Sequence, residues 1–421
     1  MINIFRNFMI VLMIFGSIWV IYYISRDIPN KHLQLLKEEY EKEAQTPVDH
    51  SKLEILQQDF QDAGEVTKAC ISCHTERHKE VMGTAHWNWQ REEYIEGRGI
   101  VKIGKKNIIN NFCIGIGGSE GLCNKCHAGY GWRDTTFDFT DAKNIDCLVC
   151  HDNSGDYKKG NEMAGYPAKD VDLGHTARNV GKPMKQNCGT CHFFSGGGNN
   201  VKHGDLDVAM LNTNRSVDVH MGKDGPDMAC VECHEAENHK MLGKLYTVSS
   251  MNKDRLECES CHTDVPHTQS IINEHSIKVA CQTCHIPVYA KVNATKMFWD
   301  WSKACKIMDP SYSETDSLGN KVYLAKKGAF IWQKEVKPEY VWFNGTADHY
   351  LLGDKIDTSN LPVNINTLNG KYADRNSKII PVKIHRTRQA YDPVNNLLIQ
   401  PKLWDEKEGE GALWVDCKHI P

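Results

Sequence analysis

The chain has 421 residues, room for two or three ordinary domains, with 50 Lys and Arg against 54 Asp and Glu and a formal net charge of −4. That balance gives no basic surface for a polyanion, so no nucleic-acid partner is expected. The outlier is cysteine, with 17 residues, far more than an ordinary core uses.

Residues 7–25 carry no charge and include the apolar runs Phe8-Met9-Ile10 and Trp19-Val20-Ile21-Tyr22-Tyr23-Ile24. Their number roughly matches the ~20 needed to span a bilayer. Arg6 precedes them, which favours a cytoplasmic N-terminus. Bulky Trp19, Tyr22 and Tyr23 stand where a cleaved signal would have small residues, so residues 1–27 read as an uncleaved transmembrane anchor. Residues 28–65 are polar, with Leu33, Leu36 and Tyr40 at helical spacing, and read as a helical stalk.

Residues 66–286 hold seven copies of C-x-x-C-H. The triplets are Cys70, Cys73 and His74; Cys123, Cys126 and His127; Cys147, Cys150 and His151; and Cys188, Cys191 and His192. Cys230, Cys233 and His234 follow, then Cys258, Cys261 and His262, and Cys281, Cys284 and His285. Random placement of 17 cysteines and 20 histidines would give about 0.03 such motifs. The intervals are irregular, which excludes a solenoid repeat. Glycine-rich loops such as residues 195–200 imply short helices and long connections. Residues 287–421 carry no motif and read as a C-terminal covering segment. Within it the run ending Phe343-Asn344-Gly345, followed by Tyr350-Leu351-Leu352, predicts a small β hairpin turning at Asn-Gly. The expected fold is mainly α with long loops, organised around packed cofactors.

On one helical turn, residues i and i+3 share a face and i+4 stands beside them. Two cysteines so placed reach the two vinyl groups of a haem, and the histidine reaches its iron as proximal ligand. Paired cysteines also bind zinc, but zinc does not demand a following histidine in every copy. Seven covalently bound haems c are therefore expected, adding about 14 propionate charges to the near-neutral chain. Their attachment on the outer face of the bacterial inner membrane, together with the anchor, places the bulk of the chain in the periplasm.

Seven proximal histidines leave 13 of the 20. A bis-histidine cytochrome needs about one distal histidine per haem, and the candidates are His86, His175, His203, His220, His239, His267, His275 and His385. His32 and His50 fall in the expected stalk, and His78 and His419 lack context. None of these four is assigned. Cys113, Cys305 and Cys417 lie outside the motifs. Cys113, shortly before the second motif, is a candidate neighbour of its haem, a plain buried thiol being the other reading. Residues 115–121 lack the spacing of a nucleotide cradle and read as a loop.

Several stretches share one wording: Asn110-Asn111-Phe112-Cys113, Cys123-Asn124-Lys125-Cys126-His127-Ala128-Gly129-Tyr130-Gly131-Trp132, and Asp146-Cys147-Leu148-Val149-Cys150-His151-Asp152 with Tyr157-Lys158-Lys159. Further on stand Cys188-Gly189-Thr190-Cys191-His192-Phe193-Phe194, Lys202-His203-Gly204-Asp205-Leu206-Asp207 and Cys281-Gln282-Thr283-Cys284-His285-Ile286-Pro287. Phe343-Asn344-Gly345-Thr346-Ala347-Asp348 and His385-Arg386 complete the set. In these residues the chain resembles the octahaem tetrathionate reductase family of c-type cytochromes, over roughly residues 66–405. The resemblance implies an enzyme whose second haem, at His127, is catalytic, with an axial lysine and one open face. The matching lysine is Lys158 or Lys159. A lysine amine binds iron only when deprotonated, which burial beside a metal favours in general. The family also leads one to expect an eighth C-x-x-C-H beyond His385-Arg386, and this sequence shows seven.

Two functions follow. The first is a terminal reductase, passing electrons through bis-histidine haems to the second haem for reduction of tetrathionate, nitrite or hydroxylamine. The second is a non-catalytic carrier relaying electrons from the quinol pool. Hydroxylamine oxidation is a weaker third. The expected partners are the membrane, a small-molecule substrate, and an electron donor such as a quinol dehydrogenase or a small periplasmic cytochrome.

Overall fold

The structure, a computed structural model, describes residues 7, 12–20, 22, 48–110, 112, 115–160, 163–243, 251–307 and 309–417. Two units divide the chain, Met1–Asp49 and His50–Pro421. In the first, residues 7, 12–20 and 22 are helical and exposed. Among the described residues no helix is long and apolar enough to cross a membrane. The rest of the expected anchor, and residues 28–47 of the expected stalk, lie outside the described residues.

The second unit begins earlier than expected. Residues 50–65 are not stalk: Leu56 is buried against Val66, Ala69, Leu148 and Ala177, because the apolar face of helix Ala63–Cys73 needs a cover. That helix, 11 residues long, is capped by Asp62, whose carboxylate accepts the Glu65 N–H at 3.0 Å. Short helices and 3-10 turns follow through Cys281–His285, linked by loops. A haem motif asks for only one turn, so nothing in this region selects longer helices.

The covering segment departs furthest from expectation. It is β-rich and carries more than a hairpin, so the described fold is mixed and not mainly α. Its five-stranded sheet has the order Arg386–Arg388, Thr295–Asp300, Gly328–Gln333, Lys321–Leu324, Ser313–Thr315, parallel at the first pair and antiparallel after it. Trp299, Trp301, Phe330, Leu403 and Leu413 form the core behind it. Trp299 and Trp301 stack at 4.2 Å. The disulfide Cys305–Cys417 closes this core, with Cα atoms 5.1 Å apart.

The expected hairpin at Asn344-Gly345 is not formed. The chain does turn there, with Gly345 at φ +95° and the Asn344 side chain accepting the Thr346 N–H at 3.0 Å. Yet Glu339–Phe343 pairs with Lys378–Val382, and Ala347–His349 pairs with Asn366–Leu368. The turn is local and the pairing is not: Phe343 is buried with Ala280 and Ile380, beside the seventh motif.

Candidate haem sites

Six of the seven motifs lie on a single turn. The backbone N–H of the histidine returns to the first cysteine's carbonyl at 2.9 Å for His74, 3.1 Å for His151, 2.8 Å for His234 and 2.9 Å for His262. His192 and His285 end the helices Lys185–His192 and Cys281–His285. Both cysteines and the histidine therefore face one side, as haem attachment requires.

Opposite five of these histidines stands a second imidazole. Ring centroids are 6.2 Å apart for His74 and His50, 6.2 Å for His192 and His86, and 6.3 Å for His151 and His239. They are 6.1 Å apart for His262 and His220 and 6.2 Å for His285 and His267. Two metal–imidazole bonds of about 2.0 Å plus two half-rings span about this distance. The residues thus fit an iron between each pair. His151 and His234 also give Nδ1–H to the carbonyls of Gly181 and Leu242, at 2.9 and 3.0 Å, which leaves Nε2 toward a metal. Burial lowers the pKa of His192 to about 4 and of His86 and His151 below the usual range, favouring the neutral imidazole a metal needs.

Of these five partners among the described residues, His50 alone is not a sequence candidate. Any loop can deliver a distal ligand, so no local pattern marked it. Other expected ligands are placed differently. His175 lies 3.4 Å from the Asp156 carboxylate, and His275 is exposed at the end of helix Ser270–His275. Neither faces a motif histidine among the described residues. His385 stacks on Phe112 at 4.2 Å, and burial lowers both it and His203 to about 3. Neither is brought face to face with a motif histidine among the described residues.

Cysteines of different motifs also meet. The thiols of Cys70 and Cys147, Cys126 and Cys191, Cys188 and Cys230, and Cys258 and Cys281 lie close enough to interact. The first motif therefore adjoins the third, the second adjoins the fourth, the fourth adjoins the fifth, and the sixth adjoins the seventh. Sequence spacing gave no hint of this order.

The second motif differs from the rest. The His127 N–H bonds the Asn124 carbonyl at 2.7 Å and not that of Cys123, and ψ of 142° swings the residue out of the turn. Its ring is buried among Trp87, Trp89, Trp132, Phe137 and Phe139. Nε2, the nitrogen a proximal ligand uses, instead bonds the Trp87 carbonyl at 2.6 Å, and Nδ1 has no partner. Burial lowers this imidazole to about 3. His127, expected as a proximal ligand, thus has its ring held in an aromatic box. Packing explains why: the aromatic box offers the ring both apolar cover and a carbonyl.

The two candidate lysines separate cleanly. Lys158 is exposed and ion-paired with Asp170 at 2.6 Å, so it is dropped as a ligand candidate. Lys159, on the opposite side of an extended chain bridged to Pro167, is fully buried. Its Nζ donates to the His127 carbonyl at 2.5 Å and the Gly129 carbonyl at 2.8 Å. Cys113 lies outside the described residues; its neighbour Phe112 stacks on His385.

These turns, facing imidazoles and clustered cysteines define a multihaem c-type cytochrome. Residues 296–419 match the family described as bacterial cytochrome c. The chain is 26% identical to an uncharacterised protein of Archaeoglobus fulgidus, covering 46% of this chain and 80% of that protein. It is also similar to the crystal structure of octaheme cytochrome c from Shewanella oneidensis, with a TM-score of 0.80 and 42% identity over 88% of this chain and 81% of that one. The chain belongs to the octahaem cytochrome c family.

Proposed function

We propose that this chain is a membrane-anchored periplasmic reductase with the second motif as its catalytic centre. Its substrate in this reading is tetrathionate or, by the same chemistry, nitrite or hydroxylamine. Haem c, bound at the seven motifs, would supply the electron transfer and the reducing centre. The chain's own residues do the rest. Facing histidines would hold their haems with two ligands each and so leave no place for substrate there. At the second motif His127 bonds the Trp87 carbonyl, and buried Lys159 would be the residue to hold the haem there, once released from the His127 and Gly129 carbonyls.

The carrying observation is this contrast between His127 and the paired histidines. Charge supports it. Lys105 lies 3.9 Å over the Trp89 ring and Lys106 lies 3.7 Å over Phe139. Both add positive potential at the second motif, which attracts oxyanions.

The test is spectroscopy of the oxidised holoprotein with Lys159→Met and Lys158→Met variants. The wild type should show one haem unlike the bis-histidine set, changed by Lys159→Met and untouched by Lys158→Met. Viologen-linked reduction should be lost with Lys159→Met alone. Uniform bis-histidine signals, no binding of exogenous ligands and no turnover would leave the electron-carrier reading in its place.

A further inference from the structure

Lys105 and Lys106 are neighbours in the chain, and among the described residues neither ammonium has a carboxylate or carbonyl partner. Each rests on an aromatic face instead. Lys105 Nζ lies 3.9 Å over the Trp89 ring, and Lys106 Nζ lies 3.7 Å over Phe139 and 5.2 Å over Trp132. All three rings belong to the box around His127. A ring face attracts a cation without neutralising it. Lys102 adds a further charge of the same sign: burial and that charge together lower the Lys106 ammonium below its usual range.

The loop that carries the two lysines is clamped. It follows the strand Gly99–Ile103. The Gly104 N–H donates to the Asn107 side-chain carbonyl at 3.0 Å, and the Asn107 amide donates to the Lys102 carbonyl at 2.7 Å. The Lys106 N–H donates to the Trp89 carbonyl at 3.3 Å. A Cβ at position 104 would run into that same carbonyl, so only glycine lets the loop lie this close to Trp89. A solvated surface needs no such clamp to hold its lysines. The positive potential reaches the motif: Lys105 acts on Cys126, His127 and His192, and Lys106 acts on His127.

We propose that Lys105 and Lys106 form a recognition site for the oxyanion at the second motif, selecting a doubly charged substrate over a singly charged or neutral one. This rests on the reading that the second motif is the reducing centre. Coulomb attraction scales with the charge of the ligand, so a fixed pair of cations favours a dianion over a monoanion and ignores a neutral molecule. Tetrathionate is a dianion, nitrite a monoanion, and hydroxylamine is uncharged at neutral pH. The site therefore chooses tetrathionate among the three.

The test uses the oxidised holoprotein, which can bind tetrathionate but has no electrons with which to reduce it. Haem content is checked by pyridine haemochrome. Lys105→Met and Lys106→Met keep the length of the side chain and remove its charge. In calorimetric titration at low ionic strength, each should raise the dissociation constant for tetrathionate about tenfold. Nitrite should be weakened less, hydroxylamine should be unaffected, and Lys106→Arg should bind tetrathionate as the wild type does. Added salt should shrink the difference between wild type and variants. Unchanged tetrathionate binding in both methionine variants, with viologen-linked turnover retained, would overturn the inference and leave the reductase reading standing. Unchanged binding with a lowered haem potential would assign the lysines to a haem propionate and overturn it equally. Wild-type protein that neither binds nor turns over any of the three would remove the reading and the inference together. If the methionine variants fail to fold, the wild type decides: an affinity for tetrathionate that does not fall with ionic strength overturns the proposal.

Discussion

The Cys305–Cys417 disulfide closes a loop across a sequence separation of 112, and its contribution can be worked from that length. All fourteen motif cysteines precede residue 287, so no thioether shortens this loop in the unfolded chain. Chain-entropy closure of a loop this long stabilises the folded state by roughly 4.8 kcal/mol at 25 °C. The two sulfurs are also buried beside Trp301, Leu403 and Leu413, so their loss leaves a small void in addition. The perturbation is Cys305→Ala with Cys417→Ala in the holoprotein, compared with wild type by urea denaturation under non-reducing conditions. Near-ultraviolet circular dichroism of the tryptophan core would report on the segment itself. A loss of about 3–5 kcal/mol is expected, with the bis-histidine haem spectra preserved. An unchanged midpoint at unchanged slope would refute the reasoning, because closure entropy cannot vanish if the bond forms. The bond also bears on location, since such disulfides persist outside the reducing cytosol, in keeping with the proposed periplasmic placement.

Other outcomes are equally direct. His50→Ala should convert the first motif's haem from bis-histidine to a form that binds carbon monoxide, leaving the other sites alone; no added ligand binding would show that His50 is not a ligand. In Gly104→Ala the new methyl group meets the Trp89 carbonyl, so a cost of about 1–3 kcal/mol is expected from overpacking. Because Trp89 walls the His127 ring, the second haem's spectrum should shift with the melting temperature, and a fully stable variant would contradict this. Thr67→Val removes a buried hydroxyl bonded to Tyr130 and to the Ile145 carbonyl at 2.7 Å. It should cost about 1–3 kcal/mol in equilibrium unfolding, and a neutral result would mean that water replaces the hydroxyl.

The seven haem motifs were legible in the sequence because their chemistry is local. Two thioethers and one imidazole need only one turn of backbone, and spacing alone defines that turn. Lys158 and Lys159 were legible as a pair by resemblance, but choosing between them needed the alternation of an extended segment, which buries one side chain and exposes its neighbour. Partners for Cys305, for His50 and for the strand before Asn344 were invisible for the same reason. Each is brought in across a long stretch of chain, where loop closure costs little more with each added residue, so packing makes the choice.

The sequence by itself thus determined where the haem motifs lie, what kind of protein this is, and which motif to suspect. Tertiary structure alone decided that His127 turns into an aromatic box, that Lys159 closes on the same motif, and that the motifs neighbour one another out of chain order. Attachment is written within five residues, whereas ligation, charge and adjacency depend on which distant surfaces are buried together.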